Sequence, residues 1–145
     1  MVHDGVVRAG DDAGNGQLKG FLFFDISWIP DGATVESAIL NLSSRQREGN
    51  PPADLGTLRV YYGNYGDLDG GDWDAQSFQV VGLESGAQIG SNVDVTDSVA
   101  TARANVWYYQ LRLQFVEPTD GDGREDSLEF NTGEGGVVLT VTYTQ

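Results

Sequence analysis

One acidic loop has the residue spacing with the clearest chemical meaning in this chain. Its sequence is EPTDGDGREDSLE, in which Asp120, Asp122 and Asp126 follow the D-x-D-G-x-x-D spacing of calcium-binding loops. A hard cation takes about six to eight oxygen ligands, and carboxylates around a glycine-containing turn can converge on it. Glu117 or Glu129 could supply a further oxygen. We predict a calcium site here, with a solvated acidic hairpin as the alternative.

A second acidic cluster lies in the first loop, where Asp11 and Asp12 precede Asn15. In a sandwich of strands this loop could approach the loop that contains Asp120 and Asp126, so that the two loops share one ion. The alternative is that these residues only form turns, since Asp and Asn side chains readily bond to nearby backbone amides. A third cluster, in the segment GDLDGGDWD, is explained well enough by such turns.

Aromatic residues beside polar loops indicate a possible sugar-binding surface. Exposed rings supply flat apolar faces, and neighbouring polar groups fix the sugar hydroxyls. The candidates are Trp73, Tyr65 and Tyr62, which surround a loop rich in Gly and Asp. The alternative is that these rings support the core or the turns. Trp107, at the start of an alternating strand, is predicted to lie in the core.

Charge and composition exclude several classes of function. The net charge is −14, from 22 acidic and 8 basic side chains, and such a surface repels nucleic-acid phosphates. No apolar run approaches the roughly 20 residues that a membrane-spanning helix needs. The first residues, MVHDGVVRAGDD, lack the basic and apolar segments of a signal peptide. We therefore expect a chain that stays inside the cell or a mature or excised piece of a secreted protein.

Catalysis has few residues to use. The chain has no cysteine and a single histidine, His3, so a Ser-His-Asp triad would depend on a residue near the terminus. No Gly-x-Ser-x-Gly motif and no phosphate-binding loop occur. Paired carboxylates are plentiful, which leaves a small glycan-active enzyme as the least favoured hypothesis. We expect a protein that is not an enzyme.

The elements that must position these loops are short antiparallel strands. Apolar and polar residues alternate with period two, which is typical of half-buried strands. The predicted strands are 6–8, 21–26, 34–42, 58–62, 78–81 (at a sheet edge), 107–115 and 137–143, with a polar loop at 43–56 and a helical turn at 94–103. The fold class is all-β: one jelly-roll-like antiparallel β-sandwich, residues 1–145, with about eight strands and one helical turn.

The order of several motifs resembles a known family. The run GDDAGNGQLKGFLFFDISWIPDGATVESAILNL is similar to the opening of DNRLRE-type secreted modules, which resemble carbohydrate-binding modules. Later motifs follow in the same order: Arg59–Tyr62, Asp94–Thr96, Gln110–Phe115, Leu128–Phe130 and Leu139–Tyr143. The resemblance covers nearly the whole chain.

The resemblance implies a non-catalytic accessory domain of extracellular or cell-surface proteins of bacteria or archaea. Some members of this family bind acidic polysaccharides, whereas others act as spacers. Such modules are usually joined to a larger protein, whereas this chain is a single module. We therefore expect a self-associating subunit more readily here than in a typical family member. The acidic surface disfavours anionic polysaccharides unless calcium bridges the two.

Two functional hypotheses follow. The first is a calcium-stabilised extracellular module that binds a polysaccharide or a cell-surface matrix in adhesion. The second is a structural subunit that assembles with copies of itself into a fibre, through β-augmentation at its terminal strands. A head-to-tail contact of this kind makes filaments rather than closed oligomers.

Overall fold

Antiparallel strands form most of the chain, as the alternating sequence predicts. The computed structural model describes residues 6–43, 45–64, 77–90, 92–131 and 136–145. In these ranges the strands are β1 (Val6–Asp11), β2 (Gln17–Leu18), β3 (Gly20–Asp25), β4 (Thr34–Asn41), β5 (Gln46–Glu48), β6 (Leu58–Gly63), β7 (Phe78–Leu83), β8 (Asn92–Asp94), β9 (Tyr108–Phe115), β10 (Asp126–Asn131) and β11 (Val138–Thr144). The helices are α1 (Pro51–Leu55), α2 (Gly86–Ile89) and α3 (Thr96–Asn105). The all-β antiparallel sandwich is confirmed, with more strands and helices than predicted.

The strands form three antiparallel sheets around one hydrophobic core. In space the strand orders are β2-β1-β10-β5, β11-β4-β8 and β3-β9-β6-β7. All three sheets contribute fully buried side chains, such as Phe130 from the first, Leu40 from the second and Leu111 from the third. The edge position predicted for the strand beginning at Phe78 is confirmed, since β7 ends its sheet. A shared core of this kind fixes the loops at the ends of the sheets relative to one another.

The turn before β4 and the strand itself follow the sequence pattern closely. Gly32 has a φ of 76°, and the Ala33 amide donates a hydrogen bond to the Pro30 carbonyl at 3.1 Å. Only glycine takes this backbone conformation without strain. Leu40 and Leu42 are then both fully buried, as the alternation predicts.

β3 is buried on one face only, although residues 21–26 are apolar on both faces. In β3, Leu22 points into the core, but Phe21 and Phe23 on the other face are only half-buried. Phe23 stacks on Tyr108 with ring centroids 5.7 Å apart. Aromatic neighbours on the outer face therefore cover one another in place of a second protein layer.

Trp107 is not a core residue, contrary to the prediction. Its side chain is 53% exposed, and β9 begins one residue later, at Tyr108. The ring packs edge-on against Phe23 and Tyr108. The alternating pattern was extended one position too far, to a residue whose carbonyl accepts the Ile26 amide beyond the end of β3.

The face of β9 that carries its polar residues is more buried than those residues suggest. Gln110 and Arg112 are both less than a tenth exposed. The guanidinium of Arg112 lies 5.1 Å from the centre of the Tyr61 ring and donates to Ser77 Oγ at 3.1 Å. A long polar side chain can thus be buried along a sheet face when an aromatic ring and a hydroxyl receive it.

The segment 43–56, predicted to be a loop, contains β5 and α1. β5 pairs with β10 over three residues, which is too short for alternation to be visible in the sequence. α1 begins at Pro51, because a proline in the first helical turn has no amide that the helix would need. Leu55 is fully buried and anchors the helix. This helix brings a further acidic residue to the candidate site.

α3 confirms the predicted helical turn and extends it to Asn105. Asp94 supplies a side-chain oxygen at the start of this helix: its Oδ1 accepts the amide of Thr96 at 2.9 Å and the hydroxyl at 2.6 Å. The hydroxyl oxygen of Thr96 in turn accepts the Ala38 amide, which joins the helix to β4. No helix in the described ranges is long and apolar enough to cross a membrane.

Candidate metal centre

The pairing of β1 with β10 places two carboxylates side by side. The strands are antiparallel, and the last residue of β1, Asp11, is the register partner of the first residue of β10, Asp126. Gly10 makes this approach possible: its φ is 144°, and a Cβ at this position would lie 2.0 Å from the carbonyl oxygen of Asp126. Two acidic residues that are 115 positions apart in the sequence therefore meet at one sheet end.

Asp120 completes a cluster with these two residues. One carboxylate oxygen from each of Asp11, Asp120 and Asp126 can be chosen so that all three lie within 4.8 Å of one another. Calcium–oxygen distances are about 2.3–2.6 Å, so two oxygens on one ion are at most about 5 Å apart. The spacing of the three carboxylates therefore fits a shared calcium ion. The predicted sharing between the first loop and the Asp120–Asp126 loop agrees with this geometry.

Burial differs sharply among the three carboxylates. Asp11 is fully buried and Asp126 is 3% exposed, whereas Asp120 faces solvent. The cluster therefore has two buried carboxylates and one that is exposed to water, at Asp120, through which an ion could enter. Charged groups this deeply buried need a partner of opposite charge or several hydrogen bonds.

Asp11 meets that requirement through hydrogen bonds. Its Oδ2 accepts the Thr119 hydroxyl at 2.8 Å and the Asp120 amide at 3.3 Å. Its Oδ1 accepts the Asp126 amide at 2.9 Å. Each carboxylate oxygen has two lone pairs, so Asp11 still has capacity to bind a cation. Its main effect is to hold the loop and β10 in register.

Asp126, in contrast, has neither a cationic partner nor a full set of hydrogen bonds within the described part of the chain. Its Oδ1 accepts the Asn50 amide at 3.2 Å, but its Oδ2 is buried and has no hydrogen-bond donor there. Gly49 leaves room for this carboxylate, since a Cβ at that position would lie 2.1 Å from Oδ1. A buried carboxylate oxygen without a donor is costly, and a cation is the simplest group that satisfies it.

Electrostatics in the cluster point the same way. Burial raises the pKa of Asp126 above its ordinary value of 3.8, and the neighbouring Asp54 carboxyl raises it further. Desolvation likewise raises the pKa of Asp120, with Asp122 and Asp126 adding to the effect. The protein without an ion thus disfavours the charged forms of these groups. A bound cation would reverse that preference.

The loop that carries Asp120 is held by its own polar groups. The Thr119 hydroxyl accepts the Gly121 amide, and Asp120 Oδ1 accepts the Asp122 amide at 3.2 Å. Asn15 Oδ1 accepts the Gly123 amide at 2.9 Å, which ties the first loop to this one. Asn15, which the sequence placed in the second acidic cluster, therefore acts as a connector between the loops.

Asp12 and Asp122 lie outside the three-residue cluster. Asp12 Oδ1 accepts the amides of Gly14 and Gly16, which is local turn chemistry. Asp122 Oδ1 accepts the Arg124 amide at 2.8 Å, and its side chain lines the cleft next to Asp126. Glu129 forms an ion pair with Arg8 at 3.0 Å.

Asp54, on α1, is the acidic residue that sequence reasoning missed. It lies against Asp126 and lines the same cleft of about 510 Å³, together with Glu48 and Glu125. No local spacing links Asp54 to Asp126, because they are brought together only by the folding of α1 onto β10. The one signal in the sequence was the apolar Leu55 next to Asp54, which the structure shows to be fully buried.

The aromatic candidates are only partly placed. Tyr65 and Trp73 lie outside the described residues, as does the third acidic cluster. Tyr62 is half-buried, stacks on the buried Tyr109 at 5.5 Å, and lines a groove between β7 and α3. The exposed aromatic side chains of the described ranges are Trp28, Phe78 and Trp107.

No protein-family model matches the chain, and no curated protein sequence matches it significantly. The resemblance to DNRLRE-type modules therefore stays a prediction from the order of motifs.

Proposed function

We propose that this chain is a non-catalytic β-sandwich module whose fold is stabilised by calcium and which binds a polysaccharide or matrix outside the cell. The observation that carries the proposal is the buried Oδ2 of Asp126, which has no hydrogen-bond donor among the described residues and belongs to a carboxylate of the three-residue cluster. A second buried carboxylate, Asp11, already has its donors and can add a ligand. The cluster fits an ion ligand set better than a set of catalytic groups.

An ion at this position would connect segments that are distant in the sequence. Asp11 ends β1, Asp126 begins β10, and Asp120 lies in the preceding loop, while Asp54 approaches from α1. An ion bound only by the folded chain stabilises it by mass action. It also removes the repulsion among these carboxylates. The ion therefore acts as a structural link at one end of the first sheet.

Calcium fits this set better than magnesium does. Calcium accepts about six to eight oxygens in irregular arrangements, whereas magnesium requires near-ideal octahedral geometry and retains its waters. The ligands here come from strand ends and a loop, and backbone carbonyls or water can complete them. A carboxylate-only set without histidine or cysteine also disfavours zinc.

Calorimetric titration of calcium into protein stripped with EDTA tests the proposal. We expect one site per chain, and binding weakened at least about tenfold in Asp126→Asn, which corresponds to about 1.4 kcal/mol. The amide keeps an acceptor for Asn50 and removes the charge that binds the ion. Glu129→Gln is the matched control, because it removes one charge from the same strand outside the cluster.

Calcium binding that is equal in Asp126→Asn and wild type would place the ion elsewhere. The absence of calcium binding to the wild-type chain would refute the metal site altogether. Loss of binding in Glu129→Gln as well as in Asp126→Asn would show a diffuse effect of charge.

Fibre formation is the second candidate function, and the position of β11 favours it. β11 is seven residues long and lies at the edge of its sheet, next to β4. Its outward positions are exposed threonines, and its free backbone edge can accept a strand from another copy. β1 is a poorer edge, because it lies inside its sheet, with β10 on one side and β2 on the other. Negative-stain microscopy of concentrated protein should show filaments if this candidate is correct, and only separate particles if it is not.

A further inference from the structure

We propose that the groove between β7 and α3 binds an uncharged polysaccharide, with Phe78 as the stacking surface. This inference deepens the proposed function by naming the binding surface and the ligand class. The groove has a volume of about 610 Å³, within the range of small-ligand sites. None of the described residues that line it belongs to the candidate metal centre.

One wall of the groove presents an aromatic ring to solvent. Phe78 is 70% exposed, the largest exposure among the large apolar side chains of the described ranges. It begins the edge strand β7 and is the register partner of Tyr62 on β6. The pairing of β6 with β7 shifts register between Val60 and Tyr61. Irregularities of this kind redirect side chains, and this one lies next to the Phe78–Tyr62 pair.

The opposite wall is polar and acidic. It comprises the exposed side chains of Asp94, Asp97 and Thr101, all from β8 and α3. Carboxylates and hydroxyls are good partners for sugar hydroxyls, which both donate and accept hydrogen bonds. A sugar ring has an apolar face and a hydroxyl-bearing edge, so it can use both walls at once.

The floor of the groove is rigid. Tyr62 stacks on Tyr109 at an interplanar angle of 22°, and the Tyr109 hydroxyl shares a hydrogen bond of 2.6 Å with Ser98 Oγ. Tyr109 is fully buried, and Ser98 also bonds to the Val95 carbonyl. The sheet and the helix are therefore held together beneath the groove. A preformed floor lowers the ordering cost of binding.

Charge selects among polysaccharides. The net charge is −14, and two carboxylates line the groove itself. An anionic sugar chain would be repelled by Asp94 and Asp97 in this groove. The aromatic wall and the acidic wall together therefore favour a neutral sugar chain.

Titration calorimetry with neutral hexasaccharides tests the proposal: cellohexaose, mannohexaose and N-acetylchitohexaose. We expect at least one to bind, and Phe78→Ala to weaken that binding about tenfold through loss of ring stacking. Phe78→Tyr should retain it, and Asp97→Asn should weaken it about threefold or more. Phe78 is largely exposed, so the variants should fold. Matching amide NMR spectra away from the groove will check that they do.

Trp107→Ala is the matched control, because Trp107 is an exposed aromatic residue outside the groove. Unchanged binding in this variant supports the proposal. Binding lost in Trp107→Ala but kept in Phe78→Ala would overturn the groove while leaving a sugar-binding module in place. Binding only to hexalysine or to an acidic hexaguluronate would overturn the neutral-sugar assignment. The calcium titration fails or succeeds independently of all these outcomes.

Discussion

Asp126 is the side chain on which the account of the metal centre depends most. Its backbone pairs in β10, its Oδ1 accepts an amide, and its Oδ2 is buried without a donor in the described chain. Proteins seldom leave a carboxylate oxygen in this state, because desolvating it without a partner costs several kcal/mol, roughly. Asp120 and Asp54 add negative charge instead of relieving it. A cation is the partner that fits both the burial and the charge.

The pKa values of the cluster lead to opposite pH dependences with and without calcium. Asp120 and Asp126 have pKa values raised above 3.8, mainly by desolvation. Between 3.8 and the raised values, the folded state without calcium binds more protons than the unfolded state. Acidification through this window therefore stabilises the calcium-free fold. With calcium bound, protons compete with the ion, so acidification destabilises the fold.

Urea unfolding from about pH 7 to about pH 4.5, in EDTA and in calcium, measures how the free energy of unfolding changes with pH in each case. The pKa values of Asp25 and Asp94 are lowered by hydrogen bonds from Ser27 and Thr96, so their contribution is lost only below 3.8 and does not disturb the window. In Asp126→Asn, the free energy of unfolding in EDTA should depend less on pH, and calcium should no longer change that dependence. Parallel slopes in the two buffers would contradict the assignment.

The sequence predicted the members of this site that lie close together along the chain. Asp120 and Asp126 share one loop, and their separation alone suggested a cation. Asp11 required the added idea that two loops meet at one sheet end. The position of Asp54 could not be predicted from the sequence, because the helix that carries it was predicted to be a loop. Asp122 fitted the local spacing as well as its neighbours did, yet its oxygen accepts the Arg124 amide. Spacing does not reveal which way a carboxylate turns.

The pairing of β1 with β10 is the element-level feature that builds the candidate metal centre. At Gly10 the two backbones approach so closely that a Cβ would overlap the Asp126 carbonyl, and the φ of 144° disfavours other residues. We expect Gly10→Ala to destabilise the fold by about 2–4 kcal/mol and to weaken calcium binding. Urea unfolding and calcium titration measure the two effects.

Gly32→Ala is the control for this substitution. Gly32 also has a positive φ, of 76°, but nothing lies within 4 Å of its added Cβ. Only the backbone strain of about 1 kcal/mol should appear, and calcium binding should not change. Equal losses in the two variants would show that the close approach at Gly10 has no special role.

Long strands were predictable, and short ones were not. β4, β9 and β11 are seven or eight residues long, so alternation has room to show the buried face. β2, β5 and β8 have two or three residues each and exist because neighbouring strands offer them a partner. Trp107 shows the same limit, because the pattern does not mark the residue at which a strand begins.

The complete fold combines a well-filled core with a strongly acidic surface. Three sheets share the core, while the acidic side chains, which give a net charge of −14, repel one another. Repulsion of this kind destabilises a compact state unless counter-ions reduce it. A calcium ion bound at the meeting point of two loops, a strand pair and a helix would act beside Asp11 and Asp126, the buried carboxylates of the described residues. The ion is therefore expected to stabilise the molecule as a unit.

The melting temperature of the purified chain in calcium and in EDTA tests this claim most directly. A ligand at about 100 times its Kd adds about 2.7 kcal/mol, which corresponds to roughly 5–10 °C for a domain of this size. We expect a rise of that order in wild type and in Glu129→Gln, and none in Asp126→Asn. Identical melting curves of the wild-type protein in calcium and in EDTA would contradict the account.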